Sequence, residues 1–566
     1  MRKVLTILTV LACAALHAQT PEPDMTGMQL SAVEWTKQVK MGWNLGNSLE
    51  SQGGETAWGN PRTTKEMIHA VKEAGFNAIR IPVRWTEQLA DANNMVVKEQ
   101  YLNRVKEIID WALEEDMYVI INTHHEAWLD RNPFYSKQKE NLRKLSALWT
   151  SIATFFRDYG EKLAFAGTNE TIALVNGQEN WGSPTKEYQE VQNSYNQTFV
   201  DAVRATGGKN YYRNLVVQTY ACNGYYGLAG FTIPNDKVEG RLSVEFHCYD
   251  PYEYAGSGSY YYWGDKYKAM GKRTPQSNEK TMTDFFDRIR NTWGKKGLGV
   301  VLGEYGVSCH YTNDDKQTQL DNEQYFIKCM VAAAIERGFA AFVWDNNAFG
   351  NGTEKFGIFK RHQNMAVGNE PVLRGICEGA ETEYKEPENG GQEDIEGGEV
   401  FWQGDAMLDW GNGLQLTIPG SEFEKYGKEV RLLLSYQLDY TDYNMLQFFL
   451  GDWDQQNKVA FSVAGKNYVL EFVPGDLYAV GSGEECVSAI SFNENTYNLI
   501  LQKGLVMQGH GIRLKRVALT LPSRWWQPAS TANGKDEVYT LDGRRVPKNF
   551  PKQGVVVKNG KKILIH

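Results

Sequence analysis

The chain has 566 residues, of which 42% are hydrophobic and 23% charged, as in ordinary globular proteins; at this length we expect two or three domains. The formal net charge of -9 is spread along the sequence apart from an acidic stretch at residues 386–399. No basic stripe of the kind that neutralises phosphates is present, which argues against a nucleic acid as partner.

The first residues have the pattern of an export signal. Arg2 and Lys3 are charged, residues 4–16 are apolar, and Ala18 ends the run before polar residues. This pattern predicts a signal peptide over residues 1–18 and a protein that is secreted or held at the cell surface. The run that ends at Cys13 is also an imperfect lipobox, so lipoprotein anchoring at Cys13 is an alternative. No later segment offers about 18 uninterrupted apolar residues, so we expect no membrane span. Separately, we expect a monomer.

From residue 30 to residue 378, short apolar runs alternate with amphipathic stretches of helical period, as in βα units around a parallel sheet. The runs predict strands at residues 41–46, 78–83, 118–125, 163–170, 215–220, 242–249, 299–305 and 340–346. Helices are predicted at residues 64–74, 100–115, 145–157, 188–204, 282–293 and 324–337. The fold class is therefore α/β, a (β/α)₈ TIM barrel, in which chemistry takes place at the C-terminal ends of the strands.

Residues 379–399 are acidic and glycine-rich and predict a linker. Residues 400–522 contain short alternating runs between turn residues, which predict a β-sandwich. We interpret this domain as carbohydrate-binding, a structural spacer or a domain packed on the barrel; its candidate binding aromatics are Trp402, Trp410, Tyr436, Tyr440, Tyr443 and Trp453. Residues 535–566 predict a short β unit that turns at Asp542-Gly543.

The cysteines that would remain after signal cleavage are scattered along the sequence: Cys222, Cys248, Cys309, Cys329, Cys377 and Cys486. Their separations match neither a disulfide framework nor a metal site. We expect buried or free thiols, with one or two disulfides still open for an exported protein.

Polar or aromatic residues end the predicted barrel strands and would meet in one cleft: Arg80, His124, His125, Asn169, Glu170, His247, Tyr249, Glu304 and Trp344. Each alone has an ordinary explanation, such as a buried ion-pair partner or a core ring. Their occurrence at consecutive C-terminal ends predicts a functional site instead. His124 and His125 suggest a metal, but adjacent strand residues point to opposite faces, so we expect no metal and no cofactor.

Two of these residues are carboxylates that would face each other across the barrel mouth. Glu170 ends the fourth predicted strand and Glu304 the seventh. In glycoside hydrolysis, a protonated carboxyl group donates to the leaving oxygen while an ionised one attacks the anomeric carbon, and a separation of about 5 Å gives retention. The two pKa values must differ, which Arg80 beside Glu304 and a less charged setting for Glu170 would achieve.

Several motifs are similar, in order and spacing, to those of clan A glycoside hydrolases of family 5, especially its endoglucanase and xyloglucanase branch. The matching segments are 42–49 (GWNLGNSL), 55–61 (ETAWGNP), 79–83 (IRIPV), 122–125 (NTHH), His247 with Tyr249, 303–306 (GEYG) and 344–347 (WDNN). The resemblance covers residues 30–375 or so.

The resemblance implies residue roles. Glu170 would be the acid/base and Glu304 the nucleophile, held by Arg80 and by Tyr249 or Tyr305. Asn169 would bind the 2-hydroxyl of the reacting sugar, and Trp344 would stack beneath it. The remaining strand-end histidines, His124, His125 and His247, would hydrogen-bond to sugar or to a carboxylate.

The resemblance also implies a retaining endo-β-1,4-glucanase acting on cellulose-like, xyloglucan or mixed-linkage chains, with an endo-β-1,4-mannanase as the alternative. Trp58 and other loop aromatics would stack on a long β-linked chain, although some would only cover the barrel rim: Trp85, Trp128, Tyr135, Trp181, Tyr252, Tyr254, Tyr260, Tyr261, Tyr262 and Trp263.

One position departs from the family pattern. The family usually has proline after the acid/base, where this chain has Thr171. Proline would confine Glu170 to extended angles, whereas threonine relaxes that restriction and offers a hydroxyl for a nearby hydrogen bond. We expect an active enzyme of altered rate or specificity; a non-catalytic glycan-binding surface protein is the alternative.

The last residues, 538–546 (VYTLDGRRV) and 558–562 (KNGKK), resemble the C-terminal sorting domains of Bacteroidetes type IX secretion. This resemblance implies a location outside the cell or on its surface. An ordinary hairpin cap is the alternative.

Overall fold

The computed structural model describes residues 20–308, 310–312, 315–363, 365–385, 399–410, 413–439, 444–454, 456–463, 466–474, 485–520, 538–540, 554–558 and 561–565. The predicted signal peptide with Cys13, most of the predicted linker, Cys309, Tyr440, Tyr443 and the Asp542-Gly543 turn lie outside these residues. The chain divides into two compact units near residue 394.

The first unit is a closed barrel of eight parallel strands. The strands, numbered β1 to β8, are Gly42–Leu45, Ala78–Ile81, Tyr118–Asn122, Leu163–Ala166, Leu215–Asn223, Leu242–Cys248, Gly299–Tyr305 and Ala340–Asp345. They follow one another around the barrel in the order β1-β8-β7-β6-β5-β4-β3-β2. The predicted TIM barrel is confirmed, although β2, β3 and β4 end several residues before the predicted positions.

Helices alternate with the strands. The longer ones are Ala32–Gln38, Lys65–Glu73, Glu99–Glu114, Tyr135–Phe155, Lys186–Ala205, Gly224–Gly230, Glu279–Thr292, Lys316–Glu336 and Glu370–Gly379. Several begin at a side-chain cap; Thr64, Thr185 and Asn278 each accept a backbone N–H of the first turn. Among the described residues, none of the helices combines the length and apolar character that a membrane crossing requires.

The barrel interior changes from apolar to polar along its axis. At the N-terminal end, small and branched side chains from several strands fill the interior and pack with the first helix: Trp35, Val39, Ala78, Ile120, Ala164, Ala166, Val216, Val301, Ala340 and Phe342. Further along the strands the buried residues are polar, including Asn44, Arg80, Gln218 and Glu245. A second apolar layer lies between the strands and the surrounding helices. This floor supports the polar groups at the C-terminal ends.

The second unit is rich in antiparallel strands, consistent with the predicted β-sandwich. Its strands are Glu399–Leu408, Leu416–Ile418, Arg431–Leu438, Met445–Leu450, Ala460–Val463, Lys466–Val469, Glu471–Phe472, Glu485–Phe492, Leu505–His510 and Ile512–Thr520, with a helix at Glu494–Lys503. Strands Val538–Thr540, Gly554–Lys558 and Lys561–Ile565 form a separate three-stranded sheet.

Cysteine chemistry in the barrel agrees with the expectation of free thiols. Cys222, Cys248, Cys329 and Cys377 are all unpaired, and burial raises the pKa of Cys222 to about 12 and that of Cys329 to about 11. These thiols are therefore protonated at neutral pH.

Candidate active site

The predicted site residues meet at the C-terminal end of the barrel. Arg80 lies in β2, His247 in β6, Glu304 in β7 and Trp344 in β8. The others follow directly after strands: His124 and His125 after β3, Asn169 and Glu170 after β4, and Tyr249 after β6. The residues form a connected set of hydrogen bonds and ring contacts, with the exposed side chain of Trp58 touching it through His125.

Glu304 is held from both sides of its carboxylate. Arg80 Nη1 donates to Oε1 at 3.0 Å, and the Tyr249 hydroxyl donates to Oε2 at 3.0 Å. Burial raises the pKa of Glu304, while the positive charges of His247 and Arg80 act against that rise. Tyr305, the other candidate for this contact, packs in the apolar layer outside the barrel. Tyr249 therefore makes the contact that the sequence left open.

Glu170 is the more accessible carboxylate. Its side chain is 26% exposed, against 7% for Glu304. His247 Nδ1 lies 2.7 Å from Glu170 Oε1 and 3.6 Å from Glu304 Oε2, so one imidazole nitrogen faces both carboxylates. One oxygen of each carboxylate and a nitrogen of His247 all lie within 4.8 Å of one another. The separation suits two carboxyl groups that act on the same bond.

The same three atoms are close enough to surround a metal ion. However, the 2.7 Å separation of His247 Nδ1 and Glu170 Oε1 is that of a charge-assisted hydrogen bond, in which the nitrogen carries a proton and is not a metal ligand. Although burial favours the neutral ring, contacts with Cys222, Glu304 and Glu170 raise the pKa of His247 well above its usual value. The contact between His247 and Glu170 is therefore that of a hydrogen-bonded pair.

His124 and His125 do not point to opposite faces, which corrects the argument made from strand alternation. Strand β3 ends at Asn122, and His125 has a φ of 54°, which brings its ring to 4.4 Å from that of His124 in an edge contact. Burial lowers the pKa of His124 well below its usual value, and burial also lowers that of His125. Both rings are therefore neutral.

Neutral His124 links Asn169 to the ring of Trp344. Its Nε2 lies 3.2 Å from Asn169 Nδ2, and its ring stacks on Trp344 at 5.9 Å with an interplanar angle of 18°. Asn169 Oδ1 in turn accepts from Arg80 Nη2 at 2.8 Å. The predicted binders of the reacting sugar are therefore fixed by one another.

Thr171 differs from the expectation for its side chain. Its hydroxyl is buried and, within the described residues, has no hydrogen-bond partner, so the proposed side-chain hydrogen bond is absent. Main-chain groups form the hydrogen bonds instead: the Thr171 N–H donates to the Asn169 carbonyl at 3.1 Å, and the Thr171 carbonyl accepts from the Ala221 N–H at 3.0 Å. A proline at 171 would remove the first of these bonds. The turn after Glu170 is therefore fixed by main-chain contacts.

The loop aromatics differ in exposure, and Trp128, Tyr260 and Tyr261 are half-buried. Trp58 is 44% exposed and Trp181 50% exposed, so both present ring surface at the barrel mouth, as do Tyr135 and Tyr252. Trp85 and Trp263 are fully buried, and Tyr254 and Tyr262 nearly so. The exposed rings remain candidates for stacking on a ligand, whereas the buried rings belong to the packing of the loops.

Three polar residues beneath the site were not singled out from the sequence. Asn44 accepts from Arg80 Nη1 at 3.0 Å, and Gln218 donates to Glu245 Oε2 at 2.7 Å. Glu245 Oε1 lies 3.0 Å from Arg80 Nε and 3.3 Å from His247 Nε2. A signal did exist in the sequence: Glu245 is an acid inside a buried strand, two residues before His247 and thus on the same face of β6.

The barrel is similar in sequence to known cellulases. The profile described as Cellulase (glycosyl hydrolase family 5) matches residues 44–350. Endoglucanase B of Clostridium cellulovorans is 34% identical over 373 residues, covering 65% of this chain and 78% of that protein. Cellulase/esterase CelE of Acetivibrio thermocellus is 34% identical over 372 residues, but these are 65% of this chain and only 43% of CelE.

A solved structure of the same family is also similar to this chain. The Bacteroides ovatus family 5 xyloglucanase, in complex with a XXXG heptasaccharide, superposes with a TM-score of 0.59 at 32% identity, covering 64% of this chain and 79% of that one. The matched part corresponds to the barrel that carries the paired carboxylates. The chain belongs to the cellulase family, glycosyl hydrolase family 5, and is a glycoside hydrolase.

Proposed function

We propose that the protein is a secreted endo-β-1,4-glucanase that hydrolyses its substrate with retention of anomeric configuration. The observation that carries this proposal is the pair Glu170 and Glu304, with one oxygen of each within 4.8 Å of the other and within reach of the same His247 nitrogen. Retaining glycosidases place their carboxyl groups about 5 Å apart, whereas inverting enzymes leave room for a water between them.

In the first step, Glu304 attacks the anomeric carbon and Glu170 gives its proton to the leaving glycosidic oxygen. The bond between the carbon and that oxygen breaks, and the carboxylate oxygen of Glu304 takes its place in a covalent glycosyl-enzyme. Arg80 and Tyr249 orient the nucleophile through their contacts with its two oxygens. The greater exposure of Glu170 suits a group that must reach the leaving oxygen.

In the second step, Glu170 acts as base. It removes a proton from a water that attacks the same carbon, and the bond to Glu304 breaks, which returns both carboxyl groups to their starting states. Neither step needs a group other than these residues and water.

For the substrate, we propose a long β-1,4-linked glucan, with xyloglucan favoured. Its support is the matched Bacteroides ovatus xyloglucanase together with the exposed rings of Trp58 and Trp181, since aromatic faces stack on the apolar faces of sugars. Mixed-linkage glucan and β-mannan are the competing backbones. Export by the predicted signal peptide fits a polymeric substrate that cannot enter the cell.

The test uses the full chain and a Glu304→Gln variant on carboxymethyl cellulose, xyloglucan, mixed-linkage glucan and glucomannan. Reducing ends and viscosity are measured, and proton NMR records which anomer of the product forms first. We expect a rapid fall in viscosity, an initial β-anomer, and loss of activity by about 10⁴-fold or more in the variant. An exposed carboxylate, changed as Glu66→Gln, serves as the matched control.

An initial α-anomer would refute retention, and equal activity of parent and Glu304→Gln would refute the assigned nucleophile. If neither protein hydrolyses any of the four glycans but both retain binding, the non-catalytic glycan-binding function replaces this proposal.

We also propose that the second unit binds glycan, since one face of its sheet presents hydrogen-bonding amides between aromatic rings. Gln415 donates to Gln508 at 3.2 Å, Gln508 to Gln447 at 2.8 Å, and Gln447 to Glu471 at 2.7 Å, a row that crosses three strands and begins just before a fourth. Trp410 stacks on His510 near one end of the row. On the side of the row opposite His510, Phe449 contacts the exposed Trp453.

This second proposal is tested by affinity electrophoresis in xyloglucan gels, with the Glu304→Gln chain as parent. Adding Trp453→Ala or Gln508→Ala is expected to weaken retardation several-fold. Tyr436, which is fully buried and bonds to Ser488, marks the aromatic group that belongs to the core. Unchanged retardation in both variants would assign the unit a structural role.

A further inference from the structure

Glu245 is a buried carboxylate that touches the catalytic group from below. Its side chain is 0% exposed, so it reaches neither solvent nor a substrate in the cleft. It lies 3.0 Å from Arg80 Nε and 3.3 Å from His247 Nε2 through Oε1, and it accepts from Gln218 through Oε2 at 2.7 Å. Arg80 contacts the nucleophile, and His247 contacts the acid. Glu245 therefore joins the residues that hold both catalytic carboxylates.

The charges of this cluster balance when Glu245 is ionised and the acid carries one proton. Arg80 and His247 carry positive charge; Glu245, Glu304 and Glu170 are the carboxylates. With Glu170 protonated, two cations face two anions, which is the state that the first chemical step requires. Burial alone would favour the neutral form of Glu245, but Arg80 and His247 lower its pKa to about 2.

We infer that Glu245 is a positioning residue for the glycosidase reaction, acting through Arg80 and His247 by keeping His247 charged and both side chains oriented toward the two catalytic carboxylates. This inference rests on the proposed function of Glu170 and Glu304. His247 has one ring nitrogen for Glu245 and the other for Glu170, so loss of charge at Glu245 changes the group that faces the acid. Removal of one partner from a buried ionic group leaves the other charges uncompensated.

The informative variant is Glu245→Gln, which keeps the shape and an acceptor for Gln218 but removes the charge. We expect kcat to fall by about 10- to 100-fold with KM nearly unchanged, because the residue orients reacting groups without touching substrate. The alkaline limb of the kcat/KM profile is expected to move toward lower pH by about one unit. With one negative charge fewer beside its ring, His247 releases its proton more easily.

Other titratable or charged groups face this cluster and remain unchanged in the variant. They are Cys222 in β5, Tyr249 after β6, His124 and His125 after β3, and Asp130 and Arg131 at the end of the short helix that follows β3. If these groups set the alkaline limb, the limb lies at the same pH in the parent and in Glu245→Gln. A difference between the two proteins reports Glu245.

The experiment compares the parent, Glu245→Gln, Glu245→Asp and Asp236→Asn in the full chain. Asp236 forms a buried ion pair with Arg204 at 2.7 Å, away from the catalytic cluster, so Asp236→Asn matches the loss of a buried carboxylate. pH–rate profiles are recorded, and ¹⁵N-histidine NMR follows the ring nitrogens of His247, assigned with His247→Asn. Glu245→Asp is expected to shift the limb less than Glu245→Gln and in the same direction, and it carries the test if Glu245→Gln does not fold.

The inference holds if the limb and the His247 titration both move to lower pH in the Glu245 variants and not in Asp236→Asn. It is overturned if the Glu245 variants lose only thermal stability, as Asp236→Asn would, while the limb and the His247 titration stay in place. If the parent itself hydrolyses no glycan, the proposed function fails, and the NMR titration still decides whether Glu245 controls the charge of His247.

Discussion

Gly303 in β7 lies directly against Glu245, and a single methyl group at this position tests whether the buried carboxylate is needed where it is. A Cβ added at Gly303 would lie 1.9 Å from Glu245 Oε1, 2.7 Å from its Cδ and 2.8 Å from its Cγ. Ordinary contacts need about 3.5 Å, so the carboxylate oxygen would have to move by roughly 1.5 Å. Glu245 has no exposed surface toward which to move.

Gly303→Ala should therefore affect both stability and activity. Overpacking of a closed core costs about 1–3 kcal/mol in the free energy of unfolding. A shift of Glu245 by more than an ångström separates it from Arg80, His247 and Gln218, and misplacement of this size lowers kcat by about 10²-fold. KM should change little because substrate does not touch either residue.

The assay combines kcat and KM on xyloglucan with thermal and urea unfolding. Gly271→Ala is the control, because a Cβ there would meet nothing within 4 Å. A second background removes the clash: in Glu245→Ala, the addition of Gly303→Ala should cost almost no stability, a coupling that a double-mutant cycle measures. Full activity and unchanged stability of Gly303→Ala, or an equal cost in both backgrounds, would refute the reasoning.

Three other changes give separate tests. Thr171→Val should leave kcat unchanged and raise the free energy of unfolding by about 1 kcal/mol, because the buried hydroxyl has no partner among the described residues; a loss of stability in urea would contradict this. Trp58→Ala should raise KM on polysaccharide about 10-fold and leave kcat on an aryl cellobioside unchanged, and an equal KM would remove Trp58 from the binding surface. Burial raises the pKa of Asp130 to about 8, so the folded state resists its ionisation and stability is lost as pH rises from its ordinary value of 3.8 toward 8. Between pH 5 and 8 the parent should lose roughly 4 kcal/mol of unfolding free energy through Asp130, and Asp130→Asn should not show this loss. Parallel curves of unfolding free energy against pH for the two proteins would contradict this.

The barrel and the meeting of Glu170 with Glu304 were predictable because parallel barrel strands are buried on both faces. Polar residues are easily recognised in such strands, and their positions at or after the C-terminal ends place Glu170 and Glu304 at the same end of the barrel. The strand order and the separation of the carboxylates then follow from the closed topology. Helix ends were predictable to within a few residues where a capping side chain was present, as at Thr64. The helix that begins at Tyr135 was predicted to begin only at residue 145, since no side chain caps its N-terminus.

Side-chain directions beyond the last ladder pair were not predictable. The alternation rule holds only while the backbone is extended, and β3 ends at Asn122. The positive φ of His125 places its ring beside His124, so the two neutral histidines act as neighbours. Likewise, the hydrogen bonding of Thr171 depends on the turn after Glu170, where main-chain groups satisfy one another and the hydroxyl is left over.

Glu245 shows why a search restricted to strand ends misses part of an active site. Its own strand carries it one layer below the cleft, where the interior of the barrel would ordinarily be apolar. Arg80 needs a compensating charge at that depth. With only Glu304 beside it, its guanidinium would become an unpaired buried cation when Glu304 forms the proposed covalent intermediate. In the proposed mechanism, Glu245 stays ionised and compensates Arg80 in both states. Gly303 leaves the space for that carboxylate, because it is the residue of β7 that the register with β6 skips, and a Cβ there would meet Glu245. The position of the buried acid therefore depends on a glycine directly before Glu304.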